Sequence, residues 1–184
     1  TCMVDPTTPT QITPTLQELA REVNAKEPVF VEVRPEDWAD KGNCFQNAKR
    51  FCEENADAVA LYGFLLRSNG VWAEAEYHAI VRLPSGELID PTQEGTDRVL
   101  FAEIEGELPQ NTPMRAIAIS KYSSVVYYVS IHNQAHAVLA GLASFDANGA
   151  RSYASSPELE RLMHADEEAL REVKKAFKKK DPEF

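Results

Sequence analysis

Two stretches decide how this chain is expected to fold: GNCFQNAKRFCEEN (42–55) and, further along, EYHAIVRLPSGELIDPT (76–92). The first has the apolar spacing of a helix that Cys44 opens. The second alternates like a strand carrying His78, and after a turn it gives a shorter strand that Asp90 ends. A cysteine at a helix N-terminus, facing a histidine that a carboxylate orients, is the arrangement that thiol catalysis requires. The sequence therefore predicts an enzyme.

The rest of the pattern predicts an α+β fold in which helices pack against an antiparallel sheet. The predicted helices cover 15–25, 44–55 and 156–180. The predicted strands cover 28–34, 58–68, 72–83, 87–90, 114–120 and 125–131. Two segments stay open: 99–104 fits a short helix or a strand, and 132–145 fits a loop with a short helix.

The chain is predicted to be one catalytic domain, 15–184, preceded by a mobile arm. Residues 1–14 are rich in proline and threonine, which favours an extended and mobile segment. Thr15, with Glu18 three residues later, has the pattern of a capping box, so the first helix is predicted to start there. The helix 156–180 follows Ser156-Pro157, and a proline suits the first helical position.

Composition excludes several classes of function. The chain has 184 residues with a net charge of −10 and a pI near 4.9, whereas nonspecific nucleic-acid binding needs a basic surface. No apolar run approaches the roughly 20 residues of a membrane-spanning helix. The basic run KKAFKKK (174–180) is interpreted as the solvated end of a helix. No nucleic acid, membrane span or cofactor is therefore predicted.

The three cysteines, Cys2, Cys44 and Cys52, do not form a disulfide framework, because the count is odd and no CxxC is present. Cys44 and Cys52 lie two helical turns apart, roughly 12 Å, which is too far for a disulfide. Cys52 is expected in the core. Reduced thiols fit the cytoplasm, either of the cell that makes the protein or of a host or target cell. Because the sequence begins with Thr1 instead of Met, secretion into such a cell stays open.

The candidate site needs an activated thiol and a group that binds an oxyanion. Only a thiolate attacks well, and both the helix N-terminus and a charged His78 would lower the pKa of a thiol. Asp90 would hold the imidazole in one tautomer. The backbone N–H of Cys44 is one oxyanion donor. The candidate side-chain donors are Trp38, Asn43 and Gln46.

The separation between His78 and Asp90 needs an explanation. A two-residue turn at Ser85-Gly86 would bring the two strands together with the histidine and the aspartate offset by about three residues. A bulge or a strong twist is therefore expected between them.

The motif GxC before an apolar helix, followed by HAxVxLPSGxxxDPT, resembles the core of the transglutaminase-like branch of the papain-like cysteine enzymes over 42–92. The resemblance implies a papain-like fold with Cys44 as nucleophile, His78 as base and Asp90 as the group that orients it. It also implies proteolysis, transamidation, deamidation or acyl transfer on a protein or peptide. Ile80 departs from the pattern, since an aromatic residue often follows the HA pair.

The favoured function is a cysteine-dependent enzyme that forms a thioester from a peptide bond or a glutamine side chain. Hydrolysis is favoured over transfer, because water is always present. One alternative is a catalytically silent protein-binding or effector module on the same fold. Another is a metalloprotein built on His132 and His136, which share a helical face and need a further ligand. The candidates for that further ligand are His164, Asp146 and Asp166.

Overall fold

A computed structural model describes residues 5–178, so Cys2 and the last lysines of the basic run lie outside the described part. The chain is α+β, as predicted from its sequence. Its helices are α1 (Pro14–Glu22), α2 (Cys44–Glu54), α3 (Ser123–Leu142) and α4 (Pro157–Lys178). Its strands are β1 (Val29–Val33), β2 (Val59–Ser68), β3 (Trp72–Arg82), β4 (Leu88–Asp90), β5 (Arg98–Glu103), β6 (Arg115–Ala118), β7 (Ala143–Phe145) and β8 (Arg151–Tyr153).

Five of the strands close into a ring in the order β2-β3-β4-β1-β5, because β2 bonds to both β3 and β5. Strand β6 extends the sheet beyond β3, and β7 and β8 form a separate hairpin. The predicted antiparallel sheet is correct for every pair but one, since β1 and β4 run parallel. Parallel neighbours need a long crossover, which here contains α2, β2 and β3.

The interior of the ring is filled by apolar side chains that point inward from β1, β2, β3 and β5. This cluster contains Val31, Leu61, Leu65, Ile80, Val99 and Phe101. Gly63 on β2 lets β5 approach closely, since a Cβ there would lie 2.2 Å from the carbonyl oxygen of Ala102. Outside the ring, α1 and α2 cover one side of the sheet, and α3 and α4 pack against β6.

The turn between β3 and β4 places the predicted site residues on one face. The turn holds three residues, not two, because the Leu83 N–H bonds to the Glu87 carbonyl and Gly86 has φ +89°. Asp90 therefore lies opposite Ile80, two positions from His78, instead of at the predicted offset of three. An even offset keeps the two side chains on the same face, so the bulge expected between them is not needed.

The middle of β3 has a neighbouring strand on one side only. On the side away from β2, β4 pairs with Val81 and Arg82 and β6 pairs with 72–75. Among the described residues no strand pairs with 76–80 on that side. Helix α2 packs its Ala48 and Phe51 against this part of the sheet, which directs its N-terminus toward the unpaired edge.

The first helix begins one residue inside the predicted arm. Thr13 is the N-cap, where its Oγ1 accepts from the Leu16 N–H at 3.4 Å, and Pro14 takes the first helical position. The prediction that Thr15 caps this helix was wrong, because proline is better suited to that first position than to any later one. The described part of the arm is bonded to the domain, since Thr7 exchanges two backbone hydrogen bonds with Ser68.

The prediction of a strand over 125–131 was wrong, because these residues and most of the open segment after them lie within α3, a helix of 20 residues. The last three residues of that segment, Ala143–Phe145, form β7. The β-branched and aromatic run suggested a strand, but Val125, Tyr128, Val129 and Ala135 recur at helical spacing and are buried. Packing against β6 and α4 thus overrides local propensity. The open segment 99–104 is strand β5.

None of the helices in residues 5–178 combines the length and the apolar character required to cross a membrane.

Candidate functional site

His78 and Asp90 form a buried pair at one end of the ring. The His78 Nε2 lies 2.8 Å from the Asp90 Oδ2. The two residues are 4% and 0% exposed, so solvent does not compete for this contact. Asp90 Oδ1 accepts from the Thr92 N–H at 2.9 Å, which fixes the carboxylate on its other side. The imidazole is thus held in one orientation, with Nδ1 as its second nitrogen.

Cys44 reaches this imidazole from the N-terminus of α2. It is the first residue of the helix and is 7% exposed. Its thiol lies near enough to His78 to favour the charged imidazole and so raise the pKa of that ring. Because Nε2 is taken by Asp90, Nδ1 is the nitrogen left for the thiol. The structure therefore brings Cys44, His78 and Asp90 together in the predicted order.

Two opposing influences act on the charge of His78. Burial alone would lower the pKa of the imidazole, because a charged ring loses its hydration. The interactions with Cys44 and with Asp90 outweigh burial and hold the pKa of His78 well above its usual value. An imidazolium at neutral pH is the partner that a thiolate requires.

A chain of hydrogen bonds ties α2 to the strand end that carries Asp90. Asn47 is buried one turn after Cys44, and its Nδ2 donates to the Asp40 carbonyl at 2.8 Å and to the Thr92 Oγ1 at 3.2 Å. Its Oδ1 accepts from the Asp40 N–H at 3.1 Å. Asn47 and Thr92 thus fix the distance between the thiol and the carboxylate. Sequence reasoning missed both, although the buried face of α2 contains position 47.

The three predicted oxyanion donors have different surroundings. Trp38 packs beside α2, with the Arg50 guanidinium 4.3 Å from its ring. Asn43 is the N-cap but its side chain makes no capping hydrogen bond. A Cβ built on Gly149, in the β7–β8 turn, would lie 2.7 Å from Gln46 Cγ and 3.2 Å from Asn43 Oδ1. Asn43 and Gln46 therefore contact the hairpin, a neighbour that the sequence did not predict.

Glu94 faces the buried pair and completes a group that could hold a metal ion. One ligand atom each of His78, Asp90 and Glu94 lies within 4.8 Å of the others, and this is the one such group found within 5–178. Burial raises the pKa of Glu94, although the nearby His78 opposes that shift. The Arg67 guanidinium donates to Glu94 at 3.1 Å and to Glu76 at 2.5 Å. Arg67 thus balances part of the negative charge of Glu94.

The alternative metal site at His132 and His136 does not assemble as predicted. The rings lie 4.4 Å apart, and His132 Nδ1 contacts Asp166 Oδ1 at 3.0 Å. His164 instead pairs with Glu168, and Asp146 accepts backbone hydrogen bonds within the β7–β8 turn. None of these residues belongs to the metal-compatible group found in the described chain.

No protein-family model, curated protein or solved structure matches this chain.

Proposed function

We propose that this chain is a cysteine-dependent acyl-transfer enzyme that acts on amide bonds through a thioester at Cys44. The observation that carries the proposal is the contact of a helix N-terminal thiol with a histidine whose Nε2 lies 2.8 Å from a buried carboxylate. The resemblance of 42–92 to the transglutaminase-like branch of the papain-like enzymes supports the same assignment of roles.

The first half-reaction would form the thioester. The Cys44 thiolate attacks the carbonyl carbon of the amide, and the oxygen takes the negative charge. The free N–H groups of the first turn of α2 are suited to bind that oxygen, since they have no partner within the helix. His78 then gives its proton to the leaving nitrogen as the carbon–nitrogen bond breaks.

The second half-reaction would release the acyl group. Water or an amine attacks the thioester carbon, His78 accepts the proton of the attacking group, and the thiolate leaves. Asp90 stabilises the imidazolium at each stage without taking the proton itself. Water is the preferred acceptor, because transfer to an amine would require a second binding site.

The proposal is tested by the rate of iodoacetamide alkylation at each cysteine, measured by mass spectrometry against pH. Cys52 is the internal reference, because burial raises the pKa of its thiol. We expect Cys44 to react faster than Cys52 at neutral pH, and His78→Ala to lose this advantage. If Cys44 reacts no faster than Cys52 at any pH, the protein-binding module becomes the better hypothesis.

A further inference from the structure

A cavity of about 230 Å³ lies along the unpaired edge of β3, with Glu76 and Tyr77 of that strand in its wall. Its walls come from β3, the 110–114 segment, α3 and the β7–β8 hairpin. Pockets that hold drug-sized ligands measure roughly 300–1,000 Å³. This smaller cavity therefore suits a smaller group, such as one amino-acid side chain.

Two elements connect the cavity to Cys44. Tyr77 lines it, directly precedes His78, and packs its ring 5.0 Å from that of Phe45, the residue after the nucleophile. The hairpin supplies Arg151 and Tyr153 to the wall, and Gly149 in its turn rests against Gln46. An acyl group bonded to Cys44 would therefore have this cavity as a neighbouring space.

The charges around the cavity leave one cation uncompensated. Glu76 is paired with Arg67 at 2.5 Å. Burial, followed by the effect of His132, lowers the pKa of His136, so that ring is neutral at pH 7. Arg151 has no carboxylate partner among residues 5–178.

Arg151 is also held in place by its neighbours. Its Nη1 donates to the Tyr153 hydroxyl at 3.2 Å, and its guanidinium lies 5.3 Å from the Phe145 ring. These contacts restrict the Arg151 side chain before a ligand binds, which reduces the conformational entropy lost on binding. A guanidinium presents donors in a planar fork that matches a carboxylate.

We infer that this cavity is a subsite for a carboxylate-bearing side chain on the acyl side of the substrate, and that Arg151 selects it. The inference rests on the proposed function, since it places the subsite beside a thioester at Cys44. It narrows the substrate class to amides whose acyl part carries an acidic group. Asn111 is a further donor in the wall, because its Nδ2 donates one hydrogen to the Ala140 carbonyl at 3.1 Å and keeps a second for a carboxylate.

The test uses two isosteric electrophiles, N-acetylglutamyl chloromethyl ketone and its glutaminyl counterpart. In each, the Cys44 sulfur forms a bond to the chloromethyl carbon and chloride leaves, so the probes differ only in side-chain charge. We expect the parent protein to react about 10-fold faster with the glutamyl probe, Arg151→Gln to show a ratio near one, and Arg151→Glu to invert the preference.

Arg161→Gln, at an exposed position of α4 outside the cavity wall, is the matched control and should keep the parent ratio. Iodoacetamide rates should be the same in all variants. In a second measurement, glutarate should protect Cys44 of the parent from iodoacetamide, and protect Arg151→Gln at least fivefold less.

Two adverse outcomes are distinguishable. If Cys44 is activated but the glutamyl-to-glutaminyl ratio is the same in the parent and Arg151→Gln, the subsite is overturned and the proposed function stands. If iodoacetamide shows no activation of Cys44 in the parent, the proposed function fails, and the subsite fails with it.

Discussion

Two histidines packed inside the fold contact carboxylates, and they differ in what lies beside the second ring nitrogen. His78 contacts Asp90 at 2.8 Å through Nε2 and interacts with the thiol of Cys44. His132 contacts Asp166 at 3.0 Å through Nδ1, and its Nε2 lies 3.5 Å from Glu74. The imidazole of His78 therefore has a carboxylate and a thiol beside it, whereas that of His132 has two carboxylates.

The difference means that, of these two histidines, only His78 has a thiol beside it that could act as a nucleophile. His132 connects three elements, because it lies on α3, Glu74 on β3 and Asp166 on α4. Its Nε2 is buried without a hydrogen bond, so no reacting group has access to it. His78 lies at the unpaired edge of β3, where a helix N-terminus supplies the thiol. The proposed chemistry depends on that thiol and on the space beside it.

The largest expected effect is on amide turnover, which should depend on the residues around His78 and not on those around His132. Cys44→Ala should lower amide turnover at least ~1,000-fold, because the thioester cannot form. His132→Gln should keep turnover within about twofold of the parent. Product release from a peptide library, followed by mass spectrometry, measures both, and Cys52→Ala on the same helix is the control. Equal losses in Cys44→Ala and His132→Gln would contradict the assignment.

The second effect is on pH dependence. The folded-state pKa of His78 is raised above its usual value, so its charged form stabilises the fold below about pH 6.5. That contribution is lost as the pH rises through the raised pKa. The melting temperature of the parent relative to His78→Gln should therefore fall with rising pH. A constant difference between parent and His78→Gln would contradict the raised pKa.

The third effect tests the hydrogen bonds that position the site. Asn47 and Asn133 are matched, since each side chain bonds to the N–H and the carbonyl of one backbone residue, Asp40 and Ala116 respectively. Replacing either by alanine should cost about 1–3 kcal/mol of stability, measured by chemical denaturation. Only Asn47→Ala should also slow Cys44 alkylation, by about tenfold. A similar slowing in Asn133→Ala would show that both act through general stability.

The smallest expected effect is on the stability that the contacts of His132 contribute. His132→Gln keeps the size of the side chain but weakens its contacts with Asp166 and Glu74. We expect a loss of about 1 kcal/mol in the free energy of unfolding with little change in Cys44 alkylation. A large change in the rate of Cys44 alkylation would show instead that a change in packing at α3 and α4 reaches His78 through β3.

The sequence predicted those parts of the site that depend on local patterns. Apolar spacing defined α2 from Cys44, and alternation defined β3 and β4 around His78 and Asp90. It did not predict the three-residue turn, because Pro84 extends the loop ahead of Ser85-Gly86. That single residue changes the offset from odd to even and puts the two side chains on one face.

The parts that sequence reasoning missed depend on contacts between distant segments. Helix α3 has a composition typical of a strand, and only its burial against β6 and α4 decides its structure. The β7–β8 hairpin is short, and its position over Asn43 and Gln46 follows from where α3 ends. No local pattern shows that Asn47 bonds to Asp40 and Thr92, or that Arg151 lines the same cavity as Tyr77.

The unpaired edge of β3 also has a consequence for amide hydrogen exchange. Amides of 76–80 that point away from β2 have no strand partner among the described residues, so they should exchange faster than amides bonded to β2. A ligand in the adjoining cavity would shield the same amides. Deuterium uptake at these few positions would then report occupancy of the site directly, without a label, a chromogenic substrate or turnover.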